Sequence, residues 1–371
     1  MSGTSFKPSY GGPAISVARL AKALSESGVE ISVWAPDQSA TIGFPTMLQS
    51  TKCLSGTLRH AILAFGKADV IHDNGLWWPH NSTLSCLAAE AVVPRIVSTR
   101  GMLEPWALRH KAWKKRFAWW LYQKKDLERA ARLHATSDQE AENLRRLGLS
   151  VSVVSIPNGV DLPVEGALEV ERARLTLGKT KIALFLGRIY PVKGLPMLID
   201  AWARVRPAGW MLHIAGPDEA GHRLVVERAV AANRLEESVR FLGPVVIPER
   251  MLVYAAAALF ILPSYSESFG MVVAEALAHG LPVLTTTGAP WPNLVARGCG
   301  WRTEPTSEGI ANALREATSC GTATLRAMGA KGQDYVAREF SWSASAQRMI
   351  DLYKEVIAQS SNPSTARLAR Q

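Results

Sequence analysis

Two short segments carry cations, carboxylates and glycines at spacings suited to holding a phosphorylated ligand. The first reads Gly187-Arg188-Ile189-Tyr190-Pro191-Val192-Lys193-Gly194. Two cations between glycines in one loop can neutralise a diphosphate leaving group without a metal. Taken alone, the same residues also suit a solvated basic loop. The second reads Glu267-Ser268-Phe269-Gly270-Met271-Val272-Val273-Ala274-Glu275. It follows an apolar run at 259–262 and opens a helical pattern. Ser268, Phe269, Gly270 and Met271 would then present free backbone N–H groups, and the positive end of a helix dipole, to phosphate. Gly270 would allow close approach of a ligand. Glu275, about two turns in, would offer acceptor oxygens to ribose hydroxyls. Eight helical residues span ~12 Å, whereas glycosidase carboxyls stand about 5–9.5 Å apart across a sugar. The two glutamates therefore suit separate binding roles.

The elements that must position these loops read as α/β. Short apolar runs alternate with amphipathic helical patterns, as in parallel βαβ units. In the second half, strands are expected at 182–186, 211–215, 239–242, 259–262 and 283–286, with helices at 194–206, 220–233, 249–257 and 269–279. In the first half, helices are expected at 12–27 and 82–91, and strands at 31–35, 69–72, 95–98, 133–136 and 151–156. The Pro- and Gly-containing stretch 157–179 reads as a linker. Residues 341–358 read as a last helix, and 359–371 as a mobile tail. A chain of 371 residues suggests two domains, here 1–160 and 161–340. No G-x-G-x-x-G opens a helix after a strand, and no G-x-x-x-x-G-K-[ST] occurs. Dinucleotide dehydrogenases and P-loop NTPases are thereby excluded.

Composition narrows the setting. Lys and Arg number 42 against 32 Asp and Glu, with a pI near 9.6. That excess suits nucleic acid, an anionic membrane or phosphorylated substrates. The four cysteines, Cys53, Cys86, Cys299 and Cys320, form no C-x-x-C pair. Zinc and redox roles are not expected, and a reducing, cytoplasmic setting is. Residues 1–9 lack the apolar core of a signal peptide. The longest apolar stretch, 251–263, falls short of the ~20 residues a spanning helix needs.

A basic, aromatic stretch stands out between Trp106 and Arg132, with nine Lys or Arg against Asp126 and Glu128. On a helical wheel Trp106, Trp113, Phe117, Trp120 and Leu121 share one face. Lys111, Lys114, Lys115, Tyr122 and Lys125 gather toward another. One reading is an interfacial helix docking peripherally on an anionic membrane. The other is a core helix with a solvated basic back. No nucleic-acid motif accompanies the charge, so no nucleic-acid partner is expected.

The Gly-Arg…Lys-Gly loop and the Glu-Ser-Phe-Gly…Glu segment together resemble the retaining GT-B glycosyltransferases of family 4. So do Gly11-Gly12, Pro157-Asn158-Gly159-Val160-Asp161 and Ala215-Gly216. The resemblance runs from about residue 9 to 358. It implies two Rossmann-like α/β/α domains facing a cleft, with the last helix crossing back to the first domain. The second domain would bind a nucleotide sugar and the first its acceptor, a lipid-linked or growing polysaccharide. By position, Arg188 and Lys193 would hold the diphosphate, with Gly187 beside them. Glu267 would face the transferred sugar and Glu275 the ribose. Backbone at Phe269 and Gly270 would touch phosphate or sugar hydroxyls, and Gly12 would lie near the transferred group. Such enzymes keep the anomeric configuration and need no divalent metal or other cofactor. Two departures stand out. Residues 1–10 are polar with nothing strand-like before Gly11-Gly12. Where many members carry a histidine after the strand at 96–98, this chain reads Thr99-Arg100-Gly101, placing Arg100 toward donor phosphate or sugar. His72 and Asp73, at a strand end, could line the acceptor side with Trp77 in the loop beyond, although a lone histidine there also suits a structural role and the tryptophan simple packing. Two alternatives share the architecture, a non-hydrolysing nucleotide-sugar epimerase and a non-catalytic partner subunit.

Overall fold

The computed structural model describes residues 1–7, 11–40, 51–163, 180–245 and 249–360. Most of the expected linker (157–179) and of the expected tail lies outside these residues. The chain divides into two compact units, Met1–Gly159 with Ser341–Gln371, and Val160–Phe340.

The first unit opens with α1 (Gly12–Glu26), whose N-cap Gly11 takes φ +85°, a conformation that favours glycine. It continues through β1 (Ser32–Val33), β2 (Lys52–Cys53), α2 (Leu58–Phe65), β3 (Ile71–Asn74), α3 (Pro79–Glu90) and β4 (Arg95–Ser98). After α4 (Pro105–Arg109) come α5 (Ala112–Ala118), a π turn (Trp119–Gln123) and α6 (Lys124–Glu128). Then follow β5 (Arg132–Ala135), α7 (Asp138–Arg145) and β6 (Val153–Ser155). Strands β3-β4-β5-β6 form one parallel sheet, and β1-β2 a parallel pair.

The polar start of the chain is not idle. Gly3 N donates to Trp34 O at 2.9 Å, Trp34 N to Met1 O at 3.0 Å, and Ser2 N to His72 O at 2.9 Å. Met1–Gly3 is therefore held as extended backbone between Trp34, just past β1, and His72 of β3, an isolated bridge at Ser2 being all that is strand-like there. Its polarity is accommodated because Ser2 Oγ donates to Asp73 at 2.5 Å and Asn74 Nδ2 donates to Ser2 O at 2.9 Å. The same bonds explain why β3 runs two residues past the expected 69–72. Asp73 and Asn74 are polar yet buried, because every strand neighbour offers them a partner.

The second unit holds β7 (Lys181–Leu186), α8 (Leu195–Val205), β8 (Trp210–Ala215), α9 (His222–Ala232), β9 (Val239–Gly243) and α10 (Glu249–Ala256). After these come β10 (Leu259–Leu262), α11 (Met271–Ala278), β11 (Val283–Thr286), β12 (Gly300–Thr303), α12 (Ser307–Ser319) and α13 (Thr322–Glu339). The sheet is parallel throughout, in the order β12-β11-β10-β7-β8-β9. Read from β7, this is the 3-2-1-4-5-6 Rossmann order, and it reverses between β7 and β10. All four residues of β10 and of β11 are buried, as expected of parallel strands covered on both faces. Leu195, Leu198, Ile199 and Trp202 of α8 pack into the same core. The last helix, α14 (Trp342–Ser360), belongs to the first unit, where Ala346, Met349, Leu352 and Tyr353 join the core of α1.

Two local readings change. Glu267 lies ahead of α11, not in it. Gly270 caps the helix at φ +77°, and Glu275 is one turn in. The basic stretch is not one helix from Trp106. The chain leaves α4 at His110, turns through Lys111 at φ +52°, and restarts. Trp119, at the start of the π turn, packs toward the core, while Trp113, Phe117, Trp120 and Leu121, grouped on one face by the wheel, are exposed.

Candidate active site

In open α/β sheets ligands bind beyond the carboxyl ends of strands, at the point where strand order reverses. In the second unit that point lies between β7 and β10, and the two charged segments follow those two strands. Lys193 Nζ stands 2.5 Å from Glu267 Oε1, both side chains 12% exposed. Ser264 Oγ donates to the same carboxylate oxygen at 2.6 Å.

Backbone contacts hold the loops together. Tyr265 N donates to Val192 O at 2.8 Å, and Glu267 N to Gly288 O at 2.8 Å. Gly194, at φ +66°, lies where a Cβ would overlap the Pro263 carbonyl, and a Cβ on Gly216 would overlap the carbonyl of Gly187. These two positions exclude side chains because the loops after β7, β8 and β10 pack backbone to backbone.

Phe269 is buried against Trp291 and Phe340, and its carbonyl accepts from Trp291 Nε1 at 2.7 Å. This fixes the turn that presents Ser268, Gly270 and Met271 at the amino end of α11, where the first four N–H groups have no helical partner. Glu275 is tied to Arg250 and accepts from Tyr254 Oη at 2.8 Å. Burial raises its carboxyl pKa, with the Arg250 charge opposing. Arg188 is half-exposed and paired with Glu219. Lys193, Glu267, Ser268, Gly270 and Glu275 are thus brought to one end of one sheet, with Arg188 at its margin.

Residues of the first unit fare differently. Arg100 is buried, takes φ +51°, and is held by neutral amides. Its Nε and Nη2 donate to Asn74 Oδ1 at 3.1 and 2.8 Å, and its Nη1 to Asn158 Oδ1 at 2.9 Å. Among the described residues no carboxylate lies within ion-pair distance of it. Burial lowers its pKa to about 10, with the Glu140 charge opposing. The Arg100 cation is thus buried at a strand end, on strained backbone, with neutral amides as its hydrogen-bond partners. Gly12 opens α1 and is exposed.

His72 and Asp73 do not line an open face. His72 is 2% exposed, with both ring nitrogens bonded, to Tyr353 Oη and Ser98 Oγ at 2.6 Å each. Asp73 accepts from Ser2, Asn81 and Arg95. Trp77, at φ +74°, packs partly into the core beside Leu76 and Leu103. Of the proposed docking residues, Trp113 and Trp120 are exposed by 72% and 82%. Lys111 and Lys114 are exposed, while Trp106 is half-buried. Lys115 donates to Ala107 O at 2.6 Å and serves the local fold.

Sequence reasoning missed Ser264, Arg250 and Tyr254. The signal was present for the last two: residues i and i+4 share a helix face and both reach one carboxylate. No three His, Cys, Asp or Glu among the described residues converge on a metal position. No described helix is long and apolar enough to cross a membrane.

Residues 10–163 match the model of glycosyltransferase family 4, and residues 180–320 that of glycosyl transferases group 1. Curated relatives include the D-inositol 3-phosphate glycosyltransferase of Corynebacterium glutamicum (strain R), 35% identical over 222 residues, covering 56% of this chain and 52% of that protein. The namesake of Kribbella flavida is 33% identical over 244 residues, covering 62% and 57%. The chain thus spans about half the length of the curated relatives it matches. Among solved structures, sucrose-phosphate synthase from Thermosynechococcus elongatus aligns at TM-score 0.75 and 24% identity, covering 94% of each chain. Anabaena HepE, solved with UDP and glucose, aligns at 0.76 and 19%, covering 95% and 98%. These likenesses show the GT-B fold.

Proposed function

The chain belongs to glycosyltransferase family 4, and we propose that it moves a hexose from a nucleotide diphosphate sugar to a lipid-linked or growing polysaccharide acceptor. The observation that carries this reading is the Lys193–Glu267 pair at the switch point of the second sheet. In this reading Lys193 meets the charge that develops on the departing diphosphate, with Arg188 and the amino end of α11 sharing it. Glu267 faces the transferred sugar and aims the Lys193 ammonium. Glu275, oriented by Arg250 and Tyr254, receives the ribose hydroxyls. In this reading the acceptor enters on the face from which the diphosphate departs, so leaving-group stabilisation is the main catalytic term and the anomeric configuration is kept. No divalent metal is required where two cations and a helix terminus do this work.

The donor base is uridine or guanosine. HepE was solved with UDP, which favours the former. The relatives named for D-inositol 3-phosphate add an anionic polyol to the acceptors worth testing. Arg100 is the cation available to such an anion in the first unit. A non-catalytic partner subunit of the same architecture would bind the nucleotide diphosphate without turning over any donor.

The test is turnover of UDP- and GDP-hexoses with and without acceptors. Nucleotide diphosphate released only when a polyprenyl-linked sugar, an oligosaccharide or inositol 3-phosphate is present supports the transferase. Donor epimerised without acceptor would establish the epimerase instead.

A further inference from the structure

The stretch from Lys111 to Glu128 has no role in the site described above, yet its surface is unusual. Trp113, Phe117, Trp120 and Leu121 are exposed by 72%, 62%, 82% and 58%. They follow at i, i+4, i+7 and i+8, so they form one apolar face. Neither α4 nor α5 buries a single residue. A soluble protein seldom leaves such aromatics clustered in water without a partner.

The stretch is nonetheless firmly held from its far end. Leu127 is fully buried. Gln123 accepts from Trp77 N at 3.2 Å. Arg95, itself buried, donates to the Asp126 carbonyl at 2.7 Å and pairs with its carboxylate at 3.1 Å. The exposed aromatics therefore stand on a fixed base rather than a frayed end. Six cations between positions 109 and 128 are exposed, Arg109, Lys111, Lys114, Arg116, Lys124 and Lys125, against one exposed carboxylate, Glu128. Both carboxylates of the stretch are on its C-terminal part, where Asp126 is consumed by Arg95 and Glu128 by Lys124.

An apolar face ringed by cations is complementary to one kind of surface, the headgroup boundary of an anionic phospholipid bilayer. Tryptophan rings settle at that boundary and basic side chains meet lipid phosphates. A folded protein partner would need matching carboxylates around an apolar pocket. A second copy of this chain would bring like charges together. We propose that Trp113, Phe117, Trp120 and Leu121 insert into the interface of an anionic bilayer, with Lys114, Arg116 and Lys125 on its headgroups. This deepens the transferase reading by naming the surface on which a lipid-linked acceptor is met, but it stands on different residues and fails separately.

Flotation of the full chain with vesicles tests it. Vesicles of phosphatidylcholine with phosphatidylglycerol should bind the protein, and those of phosphatidylcholine alone should bind it at least tenfold more weakly. Each basic residue at an anionic surface contributes about fivefold in partitioning. Lys114→Glu/Arg116→Glu/Lys125→Glu should therefore lose binding at least tenfold, as should Trp113→Ser/Trp120→Ser. Circular dichroism and titration with UDP, both expected unchanged, show that the variants fold and that their donor site is intact. Vesicle binding by the wild type that neither variant weakens overturns the proposal. So does absence of binding to anionic vesicles, or a concentration-dependent dimer that Trp113→Ser/Trp120→Ser dissociates.

Discussion

Lys193 and Glu267 meet across the reversal of strand order in the second sheet, 2.5 Å apart, one after β7 and the other after β10. Neither pairing in sequence nor helical spacing links them, since 74 positions separate the two. The parallel order β10-β7 brings them together, and Tyr265 N on Val192 O fixes the approach.

Glu267→Gln keeps the shape and the Ser264 contact but removes the charge facing the sugar. Turnover should fall by about 100-fold or more, in the range of lost electrostatic groups at active sites. Affinity for the nucleotide diphosphate should change less than about tenfold. A steady-state comparison with calorimetry separates the two. Equal loss in both would make Glu267 a residue that only holds Lys193 in place.

Tyr353, Ser98 and the histidines 72 and 134 form one directed chain. The Ile156 carbonyl can only accept, so His134 Nε2, at 2.8 Å, carries a proton. His134 Nδ1 then accepts from Ser98 Oγ at 2.5 Å, Ser98 accepts from His72 Nε2, and His72 Nδ1 accepts from Tyr353 Oη. These directions hold because both rings are neutral, burial holding His134 down at about 3 and His72 well below its usual value. Tyr353→Phe strands His72 Nδ1 in the core and should cost about 1–3 kcal/mol in urea unfolding. A loss under about 0.3 kcal/mol would show that the chain does not fasten α14 to this unit.

Glu104 gives a pH signature. It is 4% exposed, accepts from Asn143 Nδ2 at 2.7 Å, and burial together with the Glu140 charge pushes its pKa up to about 7. Between about 4.5 and 7 the folded chain holds a proton that the unfolded chain has released. Stability from this group is therefore present at low pH and lost as pH rises through that window. Glu104→Gln should gain about 2–3 kcal/mol relative to the wild type on going from pH 5 to pH 8, at about 1.4 kcal/mol per pKa unit. The two neutral histidines act with the opposite sign but cancel in this comparison. A constant difference between the proteins across that range would refute the assignment.

Much of the second unit was legible because its strands are continuous apolar runs, such as Leu259–Leu262, bounded by glycine-bearing turns. The site segments were legible because Lys193, Glu267 and Gly270 sit in those turns. The first unit was harder. Met1–Gly3 has only Met1 as an apolar side chain, and its place depends on Asp73 and Asn74, which are distant in sequence. His72 could be read either as an acceptor-side or as a structural residue, because nothing local announces that Tyr353 and Ser98 enclose it. Strand β12 and helices α2, α7, α12 and α13 were not expected. The first two helices are only eight residues each, too short for a strong periodic signal. The shared face of Trp113, Phe117, Trp120 and Leu121 was legible from helical spacing, but not that it would be left exposed.

The central claim, that the β7 and β10 loops hold a nucleotide diphosphate, is tested most directly by calorimetric titration of metal-free protein with UDP, GDP and ADP, repeated on Lys193→Ala and Arg188→Ala. One diphosphate should bind preferentially. Lys193→Ala should weaken it about 10–100-fold, the worth of a largely buried charged hydrogen bond. Arg188→Ala, at an exposed pair, should weaken it only about two- to fivefold. Unchanged affinity in both folded variants would contradict the account.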